Sequence, residues 1–115
     1  MTDRTYVDHL EDILEAAEKA RSFTADMSYD AFVEDDKTVF AVIRALEVIG
    51  EATKRLPDDL RARHPQVSWD SMAGMRDKLI HDYVNVNERI VWRTVQEELP
   101  EVQRQLQNLL NNLKE

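Results

Sequence analysis

Residues 91–113, VWRTVQEELPEVQRQLQNLLNNL, decide the fold class because apolar side chains recur along them at helical spacing. The recurring positions are Val91, Val95, Leu99, Val102, Leu106, Leu109 and Leu113. Steps of three and four residues place them on one face of an α-helix, where they form an apolar seam. Pro100 interrupts the stretch, and we expect it to kink or split the helix because proline has no amide N–H.

Three further stretches, about 5–21, 29–56 and from 69 to 81–84, show the same period. Near the start of the second, the residues EDDK mark either a break or a solvated first turn. Pro57 suits the first turn of a short helix that follows it. We therefore expect an all-α fold, a small up-and-down bundle of four main helices plus one or two short ones, in a single domain over residues 1–115.

Polar residues mark where several of these helices begin. Thr5 and Asp8 are spaced like a capping box at the start of the first helix. Ser68 is suited to cap a helix that begins at Trp69, and Asn87 is suited to cap the last helix. Each side chain can accept a hydrogen bond from an otherwise unpaired amide of the first turn.

The composition excludes several kinds of site. The chain has no cysteine, so disulfides, thiolate catalysis and cysteine-ligated metals are excluded. Its two glycines cannot build a glycine-rich phosphate loop. The three histidines do not fall into Glu-x-x-His or His-x-x-x-His spacing, so we expect neither a metal nor a cofactor.

The formal net charge of −8 disfavours unspecific attraction to nucleic acid, because phosphates prefer Lys and Arg surfaces. An RNA-directed function would then need a local basic patch, for which Arg55, Arg61, Arg63 and Lys78 are candidates. The charged start of the chain is no signal peptide, and no apolar run approaches the length of a membrane span. We expect a soluble, cytoplasmic protein.

The stretch 75–87, MRDKLIHDYVNVN, places charged side chains where the helical period predicts core. Arg76 falls on the apolar stripe of its helix. Burying an unpaired arginine costs on the order of several kcal/mol, so Arg76 needs either a carboxylate partner or a wet cleft. Glu47 and Glu51, one turn apart on the second helix, are candidate partners.

His81 lies five positions after Arg76, roughly 140° around a regular helix. The two side chains converge only if the helix end is distorted or if a second copy contributes across a two-fold axis. Asp77, one turn before His81, could hold the imidazole in one tautomer.

An arginine with an oriented histidine suits RNA cleavage through the ribose 2′-hydroxyl. The histidine removes the hydroxyl proton, and the arginine neutralises charge on the phosphate oxygens. Tyr83 could stack on a base or bond a phosphate. The alternative is structural: Arg76 and His81 near a helix C-terminus would then stabilise the helix dipole and cap its carbonyls.

The motif and its flanks resemble a known family. RDKLIHDY matches the R-x4-H-x-Y signature of the HepT proteins, a branch of the HEPN superfamily. The other resembling segments, in the same order along the chain, are YVDHLEDILEAAEKA, AVIRALEVIGEATKRLP, WDSMAGMRDKLIHDY and IVWRTVQEELPEV. This resemblance implies an all-helical homodimer with the motif lining a cleft between the two copies.

It also implies a metal-independent endoribonuclease that acts as the toxin of a toxin–antitoxin pair. The catalytic residues would be Arg76, Asp77 and His81, with Tyr83 and Lys78 contacting the RNA substrate. The partner would be an MNT-type minimal nucleotidyltransferase, the antitoxin, which transfers AMP to Tyr83. The second hypothesis is a non-catalytic dimeric binding module that docks such a nucleotidyltransferase or a nucleotide.

Overall fold

The computed structural model describes residues 5–80 and 87–113, and of residues 76–80 it describes the backbone alone. The helices are α1 (Tyr6–Thr24), α2 (Tyr29–Glu34), α3 (Asp36–Lys54), α4 (Asp58–Arg63), α5 (Trp69–Ile80), α6 (Glu88–Arg93), a π-helical turn (Thr94–Glu98) and α7 (Leu99–Leu113). The described residues contain no strand, which confirms the all-α prediction. The four longer helices, α1, α3, α5 and α7, are the four main helices that the sequence predicted.

The long helices pack in the order α5, α3, α1 and α7, so that α3 contacts α5 on one side and α1 on the other. Their inward faces form one core, whose fully buried members include Leu10, Ile13, Val42, Ile49, Met72, Leu99 and Leu106. Burying an aliphatic side chain of this size stabilises the fold by about 1.5–3 kcal/mol. Within the described part of the chain, no helix is long and apolar enough to span a membrane.

Two of the predicted caps, those of α1 and α6, form their hydrogen bonds, and the cap at Ser68 stays a prediction. The Asp8 amide donates to Thr5 Oγ1 and the Thr5 amide donates to Asp8 Oδ2, both at 3.2 Å, which completes the capping box. Asn87 Oδ1 accepts hydrogen bonds from the amides of Arg89 and Ile90, each at 3.1 Å. These bonds satisfy first-turn donors that have no partner within the helix.

The second predicted stretch is broken at Asp35, which separates α2 from α3. The carboxylate of Asp35 accepts the Thr38 amide at 3.2 Å and the Thr38 hydroxyl at 2.8 Å. These bonds lower the pKa of the Asp35 carboxyl. Aspartate competes well for such cap positions, and the break lets Phe32 of α2 reach the core, where it is fully buried.

Pro100 does split the last helix, and the interruption is a π-helical turn. The Leu99 amide donates to the Thr94 carbonyl, five residues back instead of four. Pro100 has no amide hydrogen, and in a regular helix its ring would clash with the carbonyl of Gln96. The wider turn shifts the hydrogen-bond ladder, so that Pro100 falls in the first turn of α7, where a missing donor costs little.

Candidate functional site

Helix α5, which carries the first part of the motif, is anchored at its N-terminal end. It begins at Trp69 as predicted, and the Trp69 indole Nε1 donates to the His64 carbonyl at 2.8 Å. Trp69, Met72 and Met75 are buried, and the helix packs against α3. This face fixes the rotation of α5 about its own axis, and with it the position of every later residue in the helix.

The motif residues that lie in α5 are Arg76, Asp77 and Lys78. Residue 76 follows buried Met72 by one turn in an unbroken helix, so the backbone register agrees with the predicted stripe. His81 and Tyr83 lie outside the described residues. Their roles, and the roles of the three residues in α5, therefore stay predictions.

The predicted carboxylate partners of Arg76 lie on α3. Glu51 forms an ion pair with Arg55, with 3.0 Å between Oε1 and Nη2. Glu47 lies one turn earlier and is half-buried. The pairing of Arg76 with either carboxylate stays a prediction, because the Arg76 side chain lies outside the described part of the chain.

Gly74 lies in the middle of α5 and is half-buried. A Cβ atom built there would meet no other atom of this chain within 4 Å. A glycine costs about 1 kcal/mol relative to alanine inside a helix, so its presence calls for a reason. The chain's own packing supplies none, since the space beside Gly74 is open.

An aromatic cluster stands where the chain leaves the motif and enters α6. The Arg89 guanidinium lies 4.2 Å from the centroid of the Tyr29 ring, a cation–π contact. Trp92 meets Tyr29 edge-on at 6.1 Å and Phe32 at 5.2 Å between ring centroids. The cluster ties α6 to α2 and holds an exposed cation, Arg89, six residues after Tyr83 in the sequence.

Sequence reasoning missed Arg89 as a candidate contact. Its position in the first turn of α6 is visible in the sequence, but its contact with Tyr29 joins distant parts of the chain. Periodicity carries no information about such a pairing, since it reports only which face of one helix is apolar.

The proposed basic patch is largely neutralised where its side chains are described. Arg55 pairs with Glu51, Arg61 with Asp58 at 2.7 Å, and Arg63 with Asp59 at 3.7 Å, each on the arginine's own helix. Such exposed pairs add little stability, typically below about 1 kcal/mol, but they cancel the positive charge locally. Arg89 differs, because its contact is with an aromatic ring and no described carboxylate pairs with it.

Comparisons with known proteins agree with this architecture. The family model described as "Ribonuclease HepT-like" matches residues 13–109. A "Probable ribonuclease HepT" of Thermococcus cleftensis is 48% identical over 106 residues, covering 92% of this chain and 96% of that protein. A "Putative RNase" of Methanocaldococcus jannaschii is 42% identical over 106 residues, covering 92% and 91% of the two chains.

A "Putative RNase" of Caldanaerobacter subterraneus subsp. tengcongensis is 42% identical over 113 residues, covering 98% of each chain. No solved structure gave a significant match. The family match covers most of the chain, and the relatives are covered over nearly their full lengths. The chain therefore belongs to the HepT-like ribonuclease family.

Proposed function

We propose that this chain is a metal-independent endoribonuclease that cleaves RNA at a cleft between two copies. The observation that supports it is the R-x4-H-x-Y motif itself, which begins in α5 of a chain from a ribonuclease family. The family supports an enzyme that acts on RNA. The residue roles, the cleft and the independence from metal are our proposal.

In the proposed reaction, His81 takes the proton of the ribose 2′-hydroxyl as the 2′-oxygen attacks the neighbouring phosphorus. The bond from phosphorus to the 5′-oxygen breaks, and that oxygen receives a proton from an imidazolium. The products are a 2′,3′-cyclic phosphate and a 5′-hydroxyl. Arg76 stabilises the negative charge that grows on the phosphate oxygens, and Asp77 orients the imidazole. Tyr83 and Lys78 hold the RNA.

The two-fold arrangement solves a geometric problem. The backbone of α5 is regular through Ile80, so residues 76 and 81 point apart if the helix continues. A second copy across the cleft brings Arg76 of one chain toward His81 of the other. It also offers a second imidazole to protonate the leaving oxygen. The open space beside Gly74 leaves room for the second copy to approach α5 closely, which supports this arrangement.

A direct test is RNA cleavage by the purified chain in the presence of a chelator. The proposal expects cleavage that survives the chelator and is lost in His81→Ala and in Arg76→Ala. Circular dichroism of both variants checks that the fold is intact. Activity that requires added metal, or that persists in His81→Ala, would count against the proposed mechanism.

We further propose the toxin role, with an MNT-type nucleotidyltransferase that attaches AMP to Tyr83. The phosphate and the bulk of the attached AMP would keep the RNA phosphate from binding beside Arg76 and His81. Intact mass of the chain co-expressed with its neighbouring gene product, followed by peptide mapping, tests this role. AMP-sized additions on Tyr83 that vanish in Tyr83→Phe support it, and an unmodified chain contradicts it.

The second candidate function is a non-catalytic dimeric binding module that docks a nucleotidyltransferase or a nucleotide. The net charge of −8 and the local neutralisation of Arg55, Arg61 and Arg63 favour it, because neither feature attracts RNA. It is rejected if the purified chain cleaves RNA in a manner that depends on His81.

A further inference from the structure

The surface of α3 that faces away from the core carries an ordered stripe of side chains. Its members are Phe40, Arg44, Val48, Glu51 and Arg55, separated by four, four, three and four residues. This spacing places them on one line along the helix. Phe40 is 72% exposed, an unusual position for the largest apolar side chain of the stripe.

A groove between α1 and α3 runs beside this stripe. Its floor is small or apolar, formed by Ala16, Phe23, Ala41, Ala45 and Val48, and charged side chains also line it: Asp12, Glu15, Lys19 and Arg44. The groove continues toward His9 and Arg55 at the other end of the helix pair. Small side chains allow another helix to approach closely, and Phe23 and Phe40 supply exposed aromatic surface at one end.

The charges of the stripe are incompletely paired. Among the described residues Arg44 has no ion-pair partner, although it borders the groove. Glu51 pairs with Arg55, and both side chains are about half exposed or more, at 45% and 60%. The Glu51 carboxylate therefore has room to accept a second cation from outside the chain.

The stripe is complementary to itself when it is reversed about a point between residues 47 and 48. Arg44 and Glu51 lie at equal distances on the two sides of this point, and so do Phe40 and Arg55. Two copies of α3 packed antiparallel would therefore set each Arg44 against Glu51 of the other copy. Each Phe40 would meet Arg55 of the other copy, a cation–π pair, and the two Val48 side chains would meet at the axis.

We infer that this α3 stripe, with the adjoining groove, is an interface for a second copy of this chain. Opposite charges face each other in this register, whereas any large shift along the axis would set like charges together or leave Arg44 unpaired. Each helix of the pair is about 28 Å long, enough for an extended contact. The inference does not require RNA cleavage, since the stripe contains no motif residue, and of its members only Glu51 is also a predicted partner of Arg76.

Together with the cleft dimer proposed above, this interface would give the chain two different two-fold contacts. Two such contacts on one chain generate either a closed tetramer or an open array. The larger assembly is expected for the full chain alone, without RNA or any other protein.

A charge exchange tests the register. Light scattering during size-exclusion chromatography should show that Arg44→Glu and Glu51→Arg each reduce the native mass by about half. The double variant should restore the wild-type mass, because the opposite charges meet again. Arg104→Glu, which alters an exposed ion pair on α7, should leave the mass unchanged. A wild type no larger than the single variants, or a double variant that stays small, would overturn the inference.

A covalent cross-link tests the axis, because the natural chain has no cysteine. Val48→Cys should form an intermolecular disulfide under mild oxidation in most molecules, whereas Asn112→Cys, exposed on α7, should not. The cross-linked product should keep its helical circular dichroism spectrum. The self-contact is refuted if the thiol of the Val48→Cys chain stays reduced and the charge exchange leaves the native mass unchanged. This face would then be a contact for a different protein.

Discussion

At the scale of single residues, Arg89 is the additional candidate for contact with RNA that the structure suggests. It stands in the first turn of α6, its charge faces solvent, and its guanidinium rests on the Tyr29 ring. Other arginines of the chain, such as Arg55 and Arg93, pair with carboxylates four residues away in the sequence. Among the described residues Arg89 has no carboxylate partner, and it lies close to the motif in the sequence of an acidic protein.

We expect Arg89→Glu to weaken RNA binding on the order of tenfold and to flatten its salt dependence, because a phosphate contact would be lost. The rate at saturating RNA should change little, since the reacting groups are elsewhere. Fluorescence anisotropy with a labelled RNA at several salt concentrations measures this effect. Arg93→Glu, which makes the same charge change one turn later, is the control. Equal losses in both variants would show a general charge effect and refute a specific contact.

The motif residues show what can and cannot be predicted at this scale. The spacing from Arg76 to Tyr83 is a local property, so the sequence alone proposes the chemistry. Whether Arg76 meets Glu47, Glu51 or a second copy depends on contacts between distant segments, which no local pattern encodes. The same limit explains why the pairing of Arg89 with Tyr29 was missed.

At the scale of elements, helix positions follow from apolar periodicity and from capping residues. The start of α5 at Trp69, the capping box of α1 and the Asn87 cap were all predicted, and the hydrogen bonds of the latter two are present. Three short helices, α2, α4 and α6, are present where one or two were expected. Of these, α4 was expected after Pro57. Helix α2 is separate because Asp35 ends it and starts α3, and α6 is separate because the π-helical turn before Pro100 sets it apart from α7.

The Asp35 cap makes a prediction about pH. Hydrogen bonds from Thr38 lower the pKa of the Asp35 carboxyl in the folded chain. Its stabilising effect is therefore complete above the ordinary carboxyl pKa and is lost as the pH falls through the lowered value. Asp35→Ala should reduce the melting temperature at neutral pH, and the difference from wild type should shrink as the pH falls through the lowered pKa of Asp35.

Thermal unfolding followed by circular dichroism, at steps between neutral and acidic pH, measures this difference. Asp30→Ala is a suitable control, since that exposed carboxylate lies in the first turn of α2 and does not cap α3. A melting-temperature difference for Asp35→Ala that stays constant over the whole range would show that the cap does not act through its ionised form.

At the scale of the whole molecule, the edge position of α5 matters most for the site. Helix α3 packs against both α1 and α5, and Gly74 of α5 faces open space. The four long helices were predicted from the sequence, whereas the order in which they pack is seen only in the structure. The assembly of copies was not predicted from the sequence. A surface that binds another copy differs from a solvated surface only in how its charged and apolar groups match those of the other copy.

Gly74→Ala separates packing within the chain from packing between chains. Within one chain the added methyl group meets nothing, so the free energy of unfolding of an isolated copy should rise by up to about 1 kcal/mol. Across a close cleft contact the same methyl group would collide with the other copy, and the dimer should dissociate at least about tenfold more readily.

Sedimentation equilibrium in the Arg44→Glu background measures this effect at the cleft alone, since the α3 interface is then removed. Ser71→Ala, on the same helix and exposed, controls for helix propensity. A Gly74→Ala chain that is more stable and associates as wild type does would place the cleft away from this glycine.

The central claim is that the chain cleaves RNA through the ribose 2′-hydroxyl with its own side chains. Its most direct test offers the purified chain, in a chelator, a mixed-sequence RNA and the same sequence with 2′-O-methyl groups. The account predicts that only the RNA is cut, that the products carry 2′,3′-cyclic phosphate and 5′-hydroxyl ends, and that His81→Ala leaves both intact. Cleavage of the 2′-O-methyl strand, products with other ends, or no cleavage of either strand would contradict it.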